Sequence, residues 1–381
     1  MGNPAAPAPH RFQALDSLRG VAALIVAIEH LGAQGPVLGH RFFWLGSLWV
    51  DFFFVLSGFV IASAYGERLL AGYPPRRFLW LRVGRIWPVH LIVLLAYLSI
   101  ELFVWASGSA ALTGRAAFGA TRGPEDFAVQ LLLLQALVPA AIMTWSIQSW
   151  SISVEMLLYV LAALGWRRLG RGWWVASLGI ALLAGWLMTW TELIGGYHKL
   201  LRGLCGFGLG VAAWRAWTWL EPWARKPTGA ALSAAELGLS ALLVWAILRA
   251  GFLPFTLGFD LLFALLVLVF AAQRGVVSRL LLGRPFVWLG AVSYSLYMVH
   301  TLAESAAMSA LVRLAGALGW QGLFVAGTGA NRPALSGALG LYADLAGLAA
   351  LLVAVLAAGV MYALVERPLR EWSRRIAPRI G

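Results

Sequence analysis

Stretches close to the roughly twenty apolar residues that a helix needs to cross a bilayer recur along the whole chain. Only short polar gaps separate them. The composition agrees, because 61% of the 381 residues are hydrophobic, 12% are charged and the mean hydropathy is +0.80, which is unlike a water-soluble domain. We therefore predict an all-α, polytopic integral membrane protein without a separate soluble domain.

Apolar windows bounded by Pro, Gly and charge clusters predict about ten transmembrane helices. They lie at 17–32, 44–65, 86–106, 146–165, 173–190, 200–219, 233–250, 255–272, 286–306 and 341–364. With both termini in the cytoplasm, all but eight of the 29 Lys and Arg residues fall on or beside the cytoplasmic face, as the positive-inside rule requires. An eleventh span at 127–144 would reverse this bias, so we interpret that apolar run as an embedded or surface-lying segment.

The predicted domain organisation is a single membrane domain with a short tail at each end. Residues 1–10 are Ala/Pro-rich and predicted to be disordered, 11–372 form the membrane domain, and 373–381 form a basic cytoplasmic tail. The start of the chain lacks the basic segment of a secretory signal, so we expect the first span to be retained. The net charge of +13 comes mostly from arginines between apolar spans, which indicates membrane lipids rather than nucleic acid as partners.

The first polar constellation is RFQALDSLRGVAALIVAIEHLG, residues 11–32. Eleven residues, about three helical turns or ~16 Å, separate Arg19 from His30, so both project from one face of the helix. Ionisable residues at membrane depth usually face a polar cavity and mark a functional site. The alternative is that Arg19 snorkels to the headgroups and His30 bonds a neighbouring helix.

The second constellation is RRFLWLRVGRIWPVH, residues 76–90, in the predicted cytoplasmic turn before the third span. Arg82 and Arg85 are i, i+3 neighbours, and Arg77 lies just before them. Such a cluster can bind phosphates through charge-assisted hydrogen bonds, and the phosphates of CoA are a natural cytoplasmic candidate. A positive-inside cluster without a ligand is the alternative.

The third constellation is WSIQSWSISVEMLLY, residues 145–159, with Ser151 and Glu155 at i, i+4. A carboxylate near mid-bilayer needs a partner, and an imidazole from another helix would orient it for proton transfer. The alternative is a protonated Glu155 that only joins helices by a hydrogen bond.

Two later segments also carry polar residues. In LGAVSYSLYMVHTLAES, residues 289–305, His300 and Glu304 share a face, and they form either a second wall of the cavity or packing in which Tyr294 and Tyr297 bond across helices. Glu366, at the end of the last span, is interpreted first as a cytoplasmic cap.

The chain lacks GxSxG, a Walker lysine motif and HExxH, so we expect no metal. An intramembrane histidine with a carboxylate and a basic cluster fits acyl transfer, where a base takes the proton of an acceptor hydroxyl. A transporter or flippase for lipid-linked saccharides is the alternative, although the paired halves typical of transporters are not visible. A purely structural membrane protein would not need these charged residues.

In this order, the segments resemble the acyltransferase-3 family of bacterial membrane O-acyltransferases. Those enzymes modify lipopolysaccharide O-antigens, exopolysaccharides, peptidoglycan, Nod factors and some macrolides. The resemblance runs from residue 11 to 368, and its blocks are LDSLRGVAALIVAIEH, WVDFFFVLSGFVIA with Ser57 and Gly58, the pair Arg82 and Arg85 followed by Pro88, Trp150-Ser151 with Glu155, SYSLYMVH, and VERP.

The resemblance implies ten helices in the bacterial inner membrane, a cytoplasmic acyl-CoA donor, first of all acetyl-CoA, and an acceptor that arrives from the opposite face. It implies that His30 is the catalytic centre, as base or transient acyl carrier, and that Arg19 assists. Glu155 is then the expected partner of His30, while Arg82 and Arg85, with Arg77 beside them, hold the CoA. The further cavity candidates are Ser57, Ser151, Tyr297, His300 and Glu366.

Two departures from the family pattern affect this expectation. Glu29 precedes His30 where the motif requires no acid, and the chain ends at Gly381 without the esterase-like domain that some relatives carry. We therefore expect the membrane domain itself to bind a saccharide or lipid-linked glycan, or a secondary metabolite.

Overall fold

The computed structural model describes most of the chain, namely residues 12–108, 116–119, 121–190, 197–224, 226, 228–250, 257–320, 322, 324–326, 333–336, 338 and 340–380. The predicted tail at 1–10 lies outside the described residues. Most of the described residues are helical, which confirms the all-α prediction. The described part of the chain also contains two short strands of three residues each.

The described helices, in chain order, are α1 (Gln13–His30), α2 (Arg41–Trp44), α3 (Trp49–Leu70), α4 (Pro75–Ser107), α5 (Pro124–Leu131), α6 (Trp150–Leu169), α7 (Trp173–Leu187), α8 (His198–Ala224), α9 (Gly229–Arg249), α10 (Leu257–Ala271), α11 (Val276–Leu281), α12 (Arg284–Ala317), α13 (Leu341–Met361) and α14 (Arg367–Ile376). A π-helical turn, Tyr362–Glu366, joins the last two. Strands β1 (Phe324–Ala326) and β2 (Pro333–Leu335) pair antiparallel, and Ala33, after α1, bridges to Leu335.

Six helical stretches in the described part of the chain are long and apolar enough to cross a membrane. They are Gly46–Leu70, Pro75–Ser107, Ile147–Trp190, Gly229–Arg249, Arg284–Ala317 and Leu341–Arg379. Each of the ten predicted spans overlaps a helix of the structure, but α10 is short and α1 carries Asp16, Arg19 and Glu29 within its 18 residues. Integral membrane character is thus supported, whereas the ten-span count stays a prediction.

The apolar run 127–144 does not form a further long helix. It consists of the end of α5, several turns and a short 3₁₀ segment at 139–141. Buried glutamines anchor it: the Gln130 side chain donates to the Thr144 carbonyl at 2.7 Å, and the Gln135 amide donates to the Ser149 hydroxyl at 3.0 Å. These contacts satisfy polar groups that a spanning helix would expose to lipid.

Two helix boundaries differ from the prediction in ways that matter below. The arginine cluster at 76–85 was predicted to lie in a turn, but α4 begins at Pro75, a favoured first helical residue, so the cluster is helical. The span predicted to end at residue 306 belongs to a longer helix, because α12 continues to Ala317. Hydropathy detects only the apolar part of a helix, whereas backbone hydrogen bonding continues into its polar ends.

Small residues let the central helices approach closely. α3 packs against α8 at Gly58, where a Cβ would collide with the Phe207 carbonyl oxygen, and α1 packs against α12 where Gly20 and Gly290 meet. Helices in membranes usually associate through small residues at such crossings, because burial of apolar surface provides little driving force for association in lipid. These crossings bring polar side chains of different helices together.

The last helix returns to α4. The Trp80 indole donates to the Ser373 carbonyl at 3.0 Å, and Gly84 faces the Ser373 side chain. Ser373 and Ala377 are buried, so residues assigned to the basic tail continue α14 and pack on the arginine-bearing part of α4.

Candidate active site

A cavity with an empty volume of about 810 Å³ lies between α1, α3, α4, α6 and α12. Seven of the eleven site residues predicted from the sequence line it: Arg19, Ser57, Arg82, Arg85, Ser151, Glu155 and Tyr297. The other four, His30, Arg77, His300 and Glu366, do not line it. Segments up to 278 residues apart in the sequence therefore contribute to a single polar chamber among apolar helices.

Arg19 points inward, across the helix interface. Its Nε donates to the Ser293 hydroxyl at 2.8 Å and one Nη donates to the Gly290 carbonyl at 3.0 Å, both on α12. A second contact reaches Asp16 at 3.5 Å. The close crossing of α1 and α12 at Gly20 places the guanidinium within reach of these acceptors, so Arg19 is tied to α12 rather than extended to the headgroups.

Glu155 projects from α6 towards α3. The Ser57 hydroxyl donates to its carboxylate at 2.9 Å, and the Tyr159 hydroxyl makes a very short hydrogen bond to the same oxygen. We predicted an imidazole partner for Glu155, and that prediction is wrong, because its described hydrogen bonds are to Ser57 and Tyr159 and not to His30. The sequence did contain a signal for Tyr159, which is at i+4 from Glu155 on the same helix.

His30 lies at the end of α1, beside a second histidine. Its ring centroid is 5.0 Å from that of His300, with the planes 74° apart. The Nδ1 atom of His30 is 2.8 Å from the Val26 carbonyl, and that of His300 is 2.8 Å from the Tyr297 carbonyl. Because a carbonyl only accepts hydrogen bonds, these contacts place a proton on each Nδ1 and, in the neutral ring, a lone pair on each Nε2.

Tyr297 connects the cavity to the histidine pair. It lines the cavity, and its ring centroid is 6.0 Å from that of His300. Its hydroxyl is 2.8 Å from the Ser151 hydroxyl and donates to the Gln148 carbonyl at 3.1 Å. Ring contacts therefore link the chamber, through Tyr297 and His300, to His30.

The arginines of α4 separate into two environments. Arg82 and Arg85 line the cavity, and Arg82 donates to the Tyr65 hydroxyl at 3.0 Å while its guanidinium lies 5.8 Å from the Phe78 ring. Arg77 lies over the Tyr73 ring at 5.3 Å, outside the cavity. The i, i+3 spacing thus placed the first two on one face, while Arg77 takes another direction.

Glu366 is buried and occupies the N-cap position of α14, so its interpretation as a cytoplasmic cap stays a prediction. The Ser295 hydroxyl of α12 donates to it at 2.7 Å, and Arg370 lies 3.9 Å away. It also interacts electrostatically with Arg19 and Arg85. Its position at the end of the π-helical turn is notable because such turns often occur at functional sites.

The sequence interpretation missed a buried ion pair near the histidines. Arg202 of α8, one of the eight basic residues predicted to lie away from the cytoplasmic face, bonds the Asp51 carboxylate of α3 at 2.8 Å and the Ser47 carbonyl at 2.8 Å. The neighbouring Gly46 packs against the Glu29 side chain. The signal in the sequence was Asp51, an acidic residue at the start of an apolar span, which needs a basic partner. A single sequence does not show which basic residue that partner is.

Among the described residues, no group of three or more His, Cys, Asp or Glu side chains is placed to hold a metal ion. The polar groups of the chamber are instead a carboxylate, guanidinium groups and hydroxyls. Such groups bind anionic oxygens and move protons.

Comparison with known proteins adds an independent result. Residues 12–365 match a family model described as an acyltransferase domain. "Acyltransferase MdmB" of Streptomyces mycarofaciens is 32% identical over 188 residues, which are 45% of this chain and 44% of that protein. "Protein 2 in picA locus" of Rhizobium radiobacter is 41% identical over 90 residues, which are 23% of this chain and 44% of that protein. The matches thus span less than half the length of these curated relatives, and no solved structure matches.

Proposed function

Since the chain belongs to the acyltransferase-3 family over nearly its whole length, we propose that it transfers an acyl group, first of all acetyl, from cytoplasmic acyl-CoA to a hydroxyl of a saccharide or glycosylated acceptor. The chain belongs to a family of acyltransferases; the transfer, its donor and its acceptor are the proposal. The observation that carries it is the chamber in which Arg82 and Arg85 meet Arg19, Ser57 and Glu155. The family match also favours this enzyme over a transporter or flippase.

The donor binds at the α4 side of the chamber. CoA carries phosphates, and two guanidinium groups that face one cavity bind phosphate oxygens through charge-assisted hydrogen bonds. Arg77, beside the cavity over Tyr73, reaches a phosphate that projects towards the cytoplasm. Arg82 and Arg85 therefore hold the CoA moiety while the thioester extends towards α1.

The reaction takes place near His30. The acceptor hydroxyl gives its proton to the lone pair of His30 Nε2, its oxygen attacks the thioester carbonyl, and the C–S bond breaks. The proton then passes to the departing thiolate, so the products are an ester and free CoA. In the alternative order, Nε2 first accepts the acyl group from the thioester and then gives it to the acceptor. Arg19, about three turns from His30 on α1, assists from the donor side of the chamber, where its charge helps to hold the acyl-CoA.

The arrangement in the membrane follows the same proposal. Ten helices of the domain 11–372 cross the bacterial inner membrane, both termini lie in the cytoplasm, and residues 373–381 form the basic segment on the cytoplasmic side. Arg82 and Arg85, on the first half of α4, then face the donor, whereas His30, at the far end of α1, faces the acceptor.

Replacement of the histidine tests the proposal. The surface glycans of cells that carry His30→Ala are expected to lack the ester-linked acyl group that the unaltered chain adds, as seen by mass spectrometry. His40→Ala is a matched control, because His40 is exposed and its side chain only accepts a hydrogen bond from the nearby Phe42 backbone N–H. Full acylation by His30→Ala cells, with the variant present in the membrane, would overturn the catalytic assignment.

A further inference from the structure

A second cavity, with an empty volume of about 1100 Å³, lies on the other side of α1. Helices α1, α9, α10 and α11 form most of its wall, and α2, α3 and α12 contribute Phe42, Phe43, Trp49 and Phe286. Ser240 of α9 is the single lining residue with a hydroxyl. We call this cavity the α9 cleft.

The α9 cleft remains open because polar contacts fix α9 near its two ends. Near its start, the Glu236 carboxylate accepts hydrogen bonds from the backbone N–H of Gly275 at 3.1 Å and of Ser278 at 2.9 Å. At its end, Arg41 donates to the Ala250 carbonyl at 2.6 Å. Between these points the buried residues of α9 are Leu243 and Ile247, so the helix is held in place without being packed along its length.

The dimensions of the α9 cleft fit one hydrocarbon chain. Its lining on α1 runs from Leu18 to Ile28, which is about 15 Å of helix, or half of the ~30 Å hydrocarbon core. Water does not fill an apolar void, and an empty void loses its dispersion contacts. For a helix that faces lipid, the available filler is the chain of a lipid from one leaflet, whereas an isoprenoid carrier chain is much longer than the cleft.

Basic residues mark one end of the cleft. Val277, Leu281 and Phe286 line it near the start of α9, where Gly275 and Ser278 bond Glu236. The exposed Arg279 and Arg284 lie between these three residues in the sequence. Arginines next to a lipid-facing site attract anionic headgroups. We propose that the α9 cleft binds one acyl chain of an anionic phospholipid, whose headgroup is held by Arg279 and Arg284.

The site is separate from the chamber. Leu18, Val21, Ile25 and Ile28 form one stripe of α1, and the helical period places Arg19 and His30 on the opposite face. A bound acyl chain would contact the face of α1 opposite to the one that carries the proposed catalytic residues. Because the two sites are separate, lipid binding can be measured without any acyl transfer.

Native mass spectrometry of the purified full chain, with dioleoyl phosphatidylglycerol or dioleoyl phosphatidylcholine added after delipidation, tests this proposal. We expect one tightly retained phosphatidylglycerol, and Ser240→Phe should remove it because the ring fills the cleft. Ala241→Phe adds the same bulk to the exposed neighbouring position and should retain it. Retention of the lipid by both variants, or loss from both while both stay folded, would overturn the site.

The headgroup is tested by Arg279→Gln and Arg284→Gln. Each change should weaken phosphatidylglycerol binding about fivefold, as expected for one cation near a lipid headgroup, and leave phosphatidylcholine unaffected. Equal retention of the two lipids by the unaltered chain would overturn the headgroup assignment, and displacement of phosphatidylglycerol by an isoprenyl phosphate would assign the cleft to an isoprenoid instead.

Should Ser240→Phe fail to fold, a phosphatidylglycerol with a diazirine on its acyl chain must label α1 and α9 in the unaltered chain, and labelling confined to other helices would refute the proposal.

Discussion

The Arg202 guanidinium donates to the Asp51 carboxylate at 2.8 Å, and both side chains are only 3% exposed. The pair joins α3 to α8 beside Ser47, whose neighbour Gly46 packs against Glu29. Two charges withdrawn from water are stabilising only while they compensate each other, so this contact makes the packing of α3 and α8 depend on both residues.

Asp51→Asn is expected to lower the free energy of unfolding by about 3–5 kcal/mol, because the buried guanidinium loses its compensating carboxylate. Thermal unfolding of the detergent-purified chain measures it. Glu371→Gln is the matched control, since its pair with Arg367 is exposed and close at 3.0 Å, and such surface pairs contribute roughly 0–1 kcal/mol. Equal effects of the two changes would contradict the importance of burial.

Gly58→Ala is expected to separate α3 from α8, because the added methyl group meets the Phe207 carbonyl oxygen. We expect a loss of about 1–3 kcal/mol of stability, as is usual for overpacking. Gly179→Ala adds the same group to a helix where no atom lies within 4 Å, and it should be neutral or slightly stabilising. The unfolding midpoints of the two variants give the comparison, and no loss for Gly58→Ala would refute the contact.

Arg82→Gln is expected to raise the KM for acetyl-CoA by about tenfold or more, because a charged hydrogen bond contributes roughly 1.5–3 kcal/mol. The kcat should change less, since Arg82 holds the donor at a distance from the reacting bond. Arg76→Gln is the control, as Arg76 is exposed and outside the cavity. An unchanged KM for Arg82→Gln would show that the phosphates bind elsewhere.

His300→Phe separates packing from chemistry at the histidine pair. The phenyl ring retains the edge contact with His30 but lacks both ring nitrogens. Since the proposed proton transfer uses His30 and not His300, we expect both kcat and the unfolding midpoint to change little. A fall in kcat of about 100-fold would instead assign His300 a part in the proton transfer.

Helix positions could be predicted well from the sequence, whereas helix ends and contacts could not. Apolar windows located α4 and α12, but α4 begins eleven residues before its predicted start at 86, so that Arg82 and Arg85 project from a rigid helix. Hydropathy measures the preference of a window for lipid, and charged ends of the same helix fall outside it.

Most of the residues of the site could be predicted from the sequence, but the hydrogen bonds that join them could not. Arg19 and Glu155 were correctly expected to be polar groups within helices, yet only the packing of α3 on α6 shows that Glu155 bonds Ser57, 98 residues away. Likewise, the partner of Asp51 lies 151 residues further along. Pairings across helices depend on which helices are neighbours, and helical periodicity contains no information about that.

The crossing of α1 and α12 has a consequence for motion. Their backbones meet at Gly20 and Gly290, Arg19 is bonded to α12 near the same point, and His30 meets His300 about three turns further along. Two contacts so far apart prevent the helices from pivoting or sliding independently. Substrates must therefore enter the chamber through a movement of α3, α4 or α6, while α1 and α12 stay fixed relative to each other.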